Sequence, residues 1–110
     1  MNERDEQLRK YINKHYQELV VEVEEIGSFD EYVKGGVLTK AIKMDILQIA
    51  ENINSFSDET SSKLNPKDLR GIVDVRNHIA HSYIAVDDKI VWNAICQRLP
   101  KLIEEINLLN

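Results

Sequence analysis

The chain has 110 residues, of which 43% are hydrophobic and 30% are charged, and its formal net charge is −5 at pH 7. These values are typical of one globular domain with a modest core. The negative charge argues against a general nucleic-acid coat protein, which needs a basic face.

A single cysteine, Cys96, rules out an intrachain disulfide and favours a cytoplasmic location. Its apolar neighbours in the sequence predict a core position. No apolar run approaches the roughly 18 residues that a membrane-spanning helix requires.

The charge is unevenly distributed along the chain. Residues 1–62 carry 7 basic and 13 acidic side chains, a net charge of −6, whereas residues 63–101 carry 7 basic and 4 acidic side chains, a net charge of +3. The second section is therefore the one suited to a phosphate backbone. A split of this size also occurs between two solvated faces, so it does not by itself indicate RNA binding.

Hydrophobic spacing predicts an all-α fold that begins with two long helices. Apolar residues recur every three or four positions from about residue 5 to 26 and from about 37 to 56. Between these helices, Ser28 and Glu31 form a capping box for a short helical turn, which the Gly35-Gly36 pair ends.

Further helical segments follow in the second half of the chain. A capped turn is predicted from Ser57, and Asn65-Pro66 opens a helix that runs to about His81, because Pro is favoured in a first helical turn. A last helix is predicted from about residue 88 to 108, with a kink at Pro100.

The helix that ends near His81 carries an unusual polar run, Arg76-Asn77-His78-Ile79-Ala80-His81-Ser82-Tyr83. On an ideal helix, position 76 falls on the same stripe as Leu69 and Ile72, where the pattern asks for a hydrophobic residue. A neighbouring stripe is polar and holds Asp74, Asn77, His78 and His81. A charged Arg on a core-facing stripe is costly unless it is paired or faces a cleft or an interface, so this run is the candidate functional site.

The residue types in the run suit phosphodiester chemistry. A guanidinium binds phosphate oxygens through forked hydrogen bonds, and an imidazole titrates near neutral pH and can move a proton. In RNA cleavage without a metal, a ribose 2′-hydroxyl attacks its own phosphate while a cation stabilises the developing charge. Arg76 and His81 are five residues apart, about 140° around a straight helix. Two copies of the chain across a two-fold axis would bring both residues to one phosphate more readily than one copy.

The pattern Arg-Asn-x-x-x-His-x-Tyr resembles the signature of the HEPN domain family and, more narrowly, of its HepT-like toxins. Most of the chain shares the resemblance. Residues 41–51 (AIKMDILQIAE) are similar to the family's long helix, and Val91-Trp92 with Leu99-Pro100-Lys101-Leu102 is similar to its last helix. The chain departs from the family at Ala50, where Gly is usual, and at Asn52, where Ala is usual.

The resemblance implies a single HEPN-type antiparallel bundle of four or five helices over residues 1–110 that forms a homodimer. It implies a toxin of a toxin–antitoxin system that is an endoribonuclease, with RNA as substrate and with no DNA or membrane partner. Arg76 and His81 would be the catalytic residues at the dimer interface, and the product would carry a 2′,3′-cyclic phosphate. An MntA-like nucleotidyltransferase antitoxin would neutralise the toxin and could add AMP to Tyr83.

Four further residues are assigned supporting or RNA-binding roles. They are Asp74, Asn77, His78 and Glu51. In the fold that the family implies, Glu51 could reach the cations of the polar run. A structural salt bridge from Arg76 to Asp74 or Glu51 stays open as the plainer interpretation, and Tyr83 could simply pack its ring on the bundle.

No metal or cofactor is predicted, because the sequence has no Cys pair, no His-Glu-x-x-His motif and no dense carboxylate cluster. His15 is expected to be a surface or half-buried residue, and the glutamates near the end of the first helix are expected to face solvent. Two other functions stay open. One is a non-catalytic accessory or nucleotide-binding subunit of a nucleotidyltransferase. The other is a dimeric helical scaffold with Arg76 in an interface ion pair.

Overall fold

A computed structural model describes the backbone of residues 1–81 and 87–110, and all of their side chains except that of His81. In these residues the regular structure is entirely helical, which confirms the predicted all-α class. The elements are α1 (Glu3–Ile26), α2 (Phe29–Val33), α3 (Val37–Asn54), α4 (Asp58–Ser61), α5 (Pro66–His81), α6 (Asp88–Asn93), a π-helical turn (Ala94–Arg98) and α7 (Leu99–Leu108). None of these helices combines the length and the apolar composition that a membrane crossing would need.

The central element is α3, which packs against α1 and against α5. Its buried residues form a broad face, as the apolar spacing predicted: Thr39, Ile42, Asp45, Ile46, Ile49, Ala50 and Ile53. Burying one aliphatic side chain of this size stabilises the fold by about 1.5–3 kcal/mol relative to leaving it exposed. A helix with such a wide face therefore needs two neighbours, and its polar residues at the two edges face α1 and α5 respectively.

The short elements begin with the predicted caps. The Ser28 hydroxyl accepts a hydrogen bond from the Glu31 N–H at 3.2 Å, and the Ser57 hydroxyl accepts one from the Thr60 N–H at 3.3 Å. Gly35-Gly36 then has φ values of 78° and 110°, a backbone conformation that residues with a Cβ rarely adopt. The glycine pair therefore turns the chain from α2 into α3.

The predicted last helix is present but contains a wider turn at its centre. The Leu99 N–H bonds to the Ala94 carbonyl, five residues back, instead of the usual four. Pro100 has no N–H, and its ring crowds the carbonyl of Cys96, so a wider turn before it relieves the clash. The expected kink at Pro100 thus takes the form of a π-helical turn.

Cys96 lies in this turn and is exposed, so the core position predicted for it is wrong. The inward-facing residues around it are Ala94, Ile95 and Leu99. Position 96 is about 100° further around the helix than position 95, which directs it away from that stripe. An apolar run in the sequence therefore did not mean burial of each of its members.

Aromatic packing holds the start of α6 near α2. The Trp92 ring lies 5.2 Å from the Tyr32 ring and 6.3 Å from the Phe29 ring, measured between centroids. The Lys43 ammonium is 3.6 Å from the Asp88 carboxylate, which adds an ion pair between α3 and α6. These contacts fix the position of α6 against α2 and α3.

A buried carboxylate joins the first turn of α1 to the first turn of α4. Asp5 is 0% exposed, and it accepts hydrogen bonds from the Ser57 hydroxyl at 2.6 Å, the Thr60 hydroxyl at 2.6 Å and the Ser57 N–H at 3.2 Å. Burial alone would raise the pKa of Asp5, but these hydrogen bonds stabilise the anion and the net effect is a lowered pKa. The charged form of Asp5 therefore stabilises the fold.

We expect Asp5→Asn to lower the free energy of unfolding at pH 7 by about 1.5–3 kcal/mol, the usual contribution of hydrogen bonds to a charged group. Because the pKa is lowered on folding, this stabilisation is present above the ordinary Asp pKa of 3.8 and is lost as pH falls below it. Urea unfolding of both proteins at several pH values measures the difference. Glu3→Gln, at an exposed site in the same turn, is the control. A difference that stays constant down to pH 2.5 would contradict this account.

Candidate functional site

The polar run lies on α5, whose apolar side packs against α3. Ile72 and Val75 on that side are buried, whereas 29% of the Arg76 side chain is exposed. Arg76 thus lies at the edge of the core-facing stripe and not in its centre. This position avoids most of the desolvation cost that a fully buried guanidinium would carry.

Glu51 on α3 is the ion-pair partner of Arg76. The Nε–H of Arg76 donates to Oε1 of Glu51 at 2.8 Å, and Nη1 donates to Oδ1 of Asn77 at 3.0 Å. The sequence left Asp74 and Glu51 open as salt-bridge partners, and the structure selects Glu51. Asp74 is exposed and lies on a different side of α5, because two residues correspond to about 200° around a helix.

The two contacts orient the guanidinium without occupying all of its donors. A guanidinium has five N–H groups, and Glu51 and Asn77 engage two of them. The others have no hydrogen-bond partner within residues 1–80 and 87–110. Because 29% of the Arg76 side chain and 42% of the Glu51 side chain are exposed, the pair contributes at most about 1 kcal/mol to stability. Its main effect is to fix a fork of donors that could receive an oxyanion.

The other residues of the run have less defined surroundings. Asn77 is exposed and His78 is half-buried. The helix ends at His81, but the side chain of His81 and the whole of Tyr83 lie outside the described residues. The structure therefore brings together Arg76, Asn77 and Glu51, while the roles of His81 and Tyr83 stay predictions.

A second group of titratable residues lies between α1 and α3, and the sequence analysis did not find it. His15 Nδ1 is 3.1 Å from an Asp45 carboxylate oxygen and 3.8 Å from a Glu18 oxygen. The three side chains each place one potential metal-ligating atom within 4.8 Å of the others. The sequence itself contains no dense carboxylate cluster, but the fold brings these three side chains together, and the absence of a metal stays a prediction. His15 is half-buried, as expected.

Glu22 completes this group one helical turn beyond Glu18. Its Oε1 is buried and has no hydrogen-bond partner among the described residues. Burial, followed by the nearby carboxyl of Asp45 and the charges of Glu18 and Glu25, raises the pKa of Glu22 to about 8. The glutamates at this end of α1 were expected to face solvent; Glu24 and Glu25 are exposed, but Glu22 is half-buried, with its Oε1 turned away from solvent near Asp45 of α3. The sequence held one signal of this group: Asp45 is an acidic residue at a position of α3 where the spacing predicts an apolar one.

Comparison with known proteins identifies the family to which this chain belongs. The family model described as "Ribonuclease HepT-like" matches residues 6–109. The chain belongs to the HepT-like ribonuclease family. A relative named "Putative RNase TTE0752", from Caldanaerobacter subterraneus subsp. tengcongensis, is 27% identical over 100 residues, which cover 89% of each chain.

A more distant relative of this HepT-like chain is named "Putative RNase MJ0127" and comes from Methanocaldococcus jannaschii. It is 24% identical over 79 residues, which cover 72% of this chain and 65% of the relative. No solved structure gives a significant match. At the level of the family, the comparisons thus confirm the resemblance that the polar run indicated.

We expect Glu22→Gln to raise the melting temperature of this HepT-like protein at pH 8 and to have a much smaller effect at pH 5. The folded-state pKa of about 8 lies above the ordinary value of 4.5. The folded state therefore holds more protons than the unfolded state, and stability falls as pH rises from about 4.5 to 8. An uncharged amide removes that loss. Thermal unfolding of both proteins across this pH range measures it.

Glu24→Gln is the matched control for this measurement, because Glu24 is exposed on the same helix. It should shift the melting temperature little, and by the same amount at both pH values. If Glu22→Gln and Glu24→Gln gave the same pH profile, a raised pKa of Glu22 would not be the source of the pH dependence.

Proposed function

We propose that this protein is a metal-independent endoribonuclease toxin that cleaves RNA at a composite site in a homodimer. The observation that carries the proposal is the orientation of Arg76. Glu51 and Asn77 hold its Nε and Nη1, and the remaining N–H donors, which have no hydrogen-bond partner within residues 1–80 and 87–110, suit a phosphate. The helix that presents it ends at His81, and the chain belongs to a ribonuclease family.

The reaction is an internal transfer of the phosphodiester. The ribose 2′-oxygen forms a bond to phosphorus while the bond from phosphorus to the 5′-oxygen breaks. The products are a 2′,3′-cyclic phosphate and a 5′-hydroxyl. Arg76 binds the non-bridging oxygens and stabilises their developing charge. His81 takes the proton from the 2′-hydroxyl or delivers one to the leaving 5′-oxygen.

Helix geometry supports a site built from two copies. Positions 76 and 81 are about 140° apart on a straight helix, so one copy directs them to different sides. A two-fold axis beside the ends of α5 would bring Arg76 of one copy near His81 of the other, and the reverse. In this arrangement Asn77 keeps the guanidinium in place, and His78 contacts the RNA beside the cleaved phosphate. Asp74, about two helical turns before His81, contacts the RNA further along the strand.

The family resemblance also supports a regulatory partner. An MntA-like nucleotidyltransferase antitoxin would bind this toxin and add AMP to the hydroxyl of Tyr83, two residues beyond His81. The added phosphate would place negative charge and bulk beside the position of the substrate phosphate. Both effects would weaken RNA binding.

The competing function is a non-catalytic accessory subunit of a nucleotidyltransferase. The contact between Arg76 and Glu51 is the observation in its favour, because the same geometry would serve a purely structural ion pair. An accessory subunit would bind its partner tightly, would not cleave RNA and would not stop growth when expressed alone.

We expect purified wild type to cleave total cellular RNA in the presence of EDTA. Arg76→Ala and His81→Ala should each reduce the rate by about 10²–10⁴-fold, the usual loss when an oxyanion stabiliser or a general acid or base is removed. Expression of wild type alone should stop growth, and His81→Ala should relieve the arrest. Arg4→Ala, at an exposed site, is the control for the loss of an arginine.

EDTA is essential to this test because His15, Glu18 and Asp45 could hold a metal ion. Cleavage that EDTA abolishes would overturn the metal-independent mechanism. No cleavage by wild type, with Tyr83 shown to be unmodified by mass spectrometry, would favour the accessory subunit. Wild-type rates in both variants would remove Arg76 and His81 from the site.

We expect Glu51→Ala to lower kcat for RNA cleavage by about tenfold or more, because a guanidinium that is no longer held is misplaced in the transition state. The free energy of unfolding should change by less than about 1 kcal/mol, since the pair is half-exposed. Steady-state kinetics and urea unfolding separate the two effects. Gln48→Ala, exposed on the same helix, is the control. A loss of stability without a loss of kcat would make the ion pair structural.

A further inference from the structure

A polar cleft lies between α5 and the π-helical turn, on the side of α5 that carries the polar stripe. Its volume is about 250 Å³, and its lining includes Gly71, Asp74, Asn93 and Arg98. A hollow of about 220 Å³ adjoins it, shares Gly71, Asp74 and Arg98 with it, and adds Lys67 and Arg70. The two adjoin at these shared residues and are together called the cleft.

The arrangement of Arg98 across α5 depends on Gly71. A glycine inside a helix costs about 0.5–1 kcal/mol relative to alanine, so its presence needs a reason. A Cβ at position 71 would lie 2.7 Å from Cδ of Arg98, closer than two carbon atoms can pack. Without that Cβ, the Arg98 side chain crosses the helix and its Nη1 donates to the Lys67 carbonyl at 3.4 Å. Arg98 is also the last residue of the π-helical turn, a feature that often marks functional sites.

The cleft concentrates positive charge on an acidic protein. Lys67, Arg70 and Arg98 are exposed around it, and among the residues that the structure describes Asp74 is the one acidic residue in its lining. Within the described part of the chain, none of the three cations forms an ion pair at 4.0 Å or less, in contrast to Arg9 and Lys43. Exposed and unpaired cations around a depression are suited to phosphate oxygens.

The cleft and the end of α5 share one face of the helix. On an ideal helix, positions 67, 70, 71, 74, 78 and 81 fall within an arc of about 100°, whereas position 76 lies outside it. Ten residues separate Gly71 from His81, which corresponds to about 15 Å along the helix axis. A stacked nucleic-acid strand rises about 3.4 Å per nucleotide, so about four nucleotides would cover that distance.

We propose that this cleft binds backbone phosphates of the RNA strand about four nucleotides from the cleaved bond, with Arg98, Arg70 and Lys67 as the cationic contacts. Its position relative to the cleaved bond rests on the proposed function, whereas its ability to bind RNA does not. Asp74 supplies an acceptor in the same cleft, and a ribose 2′-hydroxyl is a donor that DNA lacks. Contacts to phosphates carry no sequence information, so the cleft contributes affinity and register but no base preference.

The test measures binding and cleavage separately. Binding of a labelled single-stranded RNA of about 12 nucleotides is followed by fluorescence anisotropy over a range of salt concentrations, in a His81→Ala background that prevents cutting. Arg98→Met keeps the apolar stem over Gly71 and removes the charge. We expect several-fold weaker binding at low salt and a slope of log K against log salt that is smaller by about 0.7. Lys40→Met, an exposed residue outside the cleft, should leave both values unchanged.

Cleavage by the otherwise wild-type protein provides the second readout. Arg98→Met should raise KM for a long RNA and leave the cleavage of a dinucleotide unchanged, because a dinucleotide does not reach the cleft. Circular dichroism verifies the fold of each variant. Arg70→Met, at an exposed site, serves as a second variant should Arg98→Met unfold.

The possible outcomes separate this proposal from the proposed function. If RNA is not cleaved by any variant but Arg98→Met or Arg70→Met weakens binding and Lys40→Met does not, the phosphate site stands and the catalytic proposal fails. If wild type cleaves RNA and the cleft variants match Lys40→Met in affinity, salt slope and KM, the phosphate site is overturned and the catalytic proposal stands. Failure of the His81→Ala protein to bind RNA at low salt also overturns the site.

Discussion

The burial of α3 against two neighbouring helices is the constraint on which the rest of the structure depends. A helix with so broad an apolar face has polar residues only at the edges of that face, where they meet α1 on one side and α5 on the other. Asp45 lies at the edge beside α1 and meets His15, whereas Glu51 lies at the edge beside α5 and meets Arg76. These two charged groups are therefore consequences of how the core is covered.

The two edges have different electrostatic character, and this difference separates their roles. Between α1 and α3, carboxylates crowd one imidazole, and burial together with the neighbouring carboxyl groups raises the pKa of Glu22. Between α3 and α5, one carboxylate meets one guanidinium that is still partly open to solvent. The first arrangement couples folding to pH, and the second fixes a cation where a polyanion could reach it. The acidic half of the chain thus makes the stability of the bundle depend on pH, whereas the basic section holds the cations that we propose contact RNA.

Periodicity was sufficient to predict the helices because each long helix covers an apolar face, and the caps at Ser28 and Ser57 follow from local chemistry alone. It was not sufficient at Cys96, since an apolar run does not identify which of its members turn inward. The group at His15, Glu18, Glu22 and Asp45 was not predicted because Asp45 lies on another helix, 30 residues along the chain from His15. Long-range pairing of this kind leaves no local signature, apart from an acidic residue on an apolar stripe.

For the candidate site, the sequence identified Arg76 but not the arrangement of the residues around it. The polar run drew attention to Arg76 because a charge stood where a hydrophobic residue was expected, but the sequence alone could not choose between Asp74 and Glu51 as its ion-pair partner. That choice depends on how α5 is rotated against α3. The cleft at Gly71 and Arg98 could not be predicted from the sequence either, because it forms between α5 and the π-helical turn, which are separate segments of the chain.

The crossing at Gly71 has a consequence for the evolution of this surface. A single methyl group at an uncharged position would displace a guanidinium, so the strength of the positive field there can change without the gain or loss of any ionisable residue. Positions 71 and 98 should then vary together among related chains, with small residues at one accompanying long cations at the other. In a comparison of relatives that tallies only charged residues, the variation in this patch would pass unnoticed.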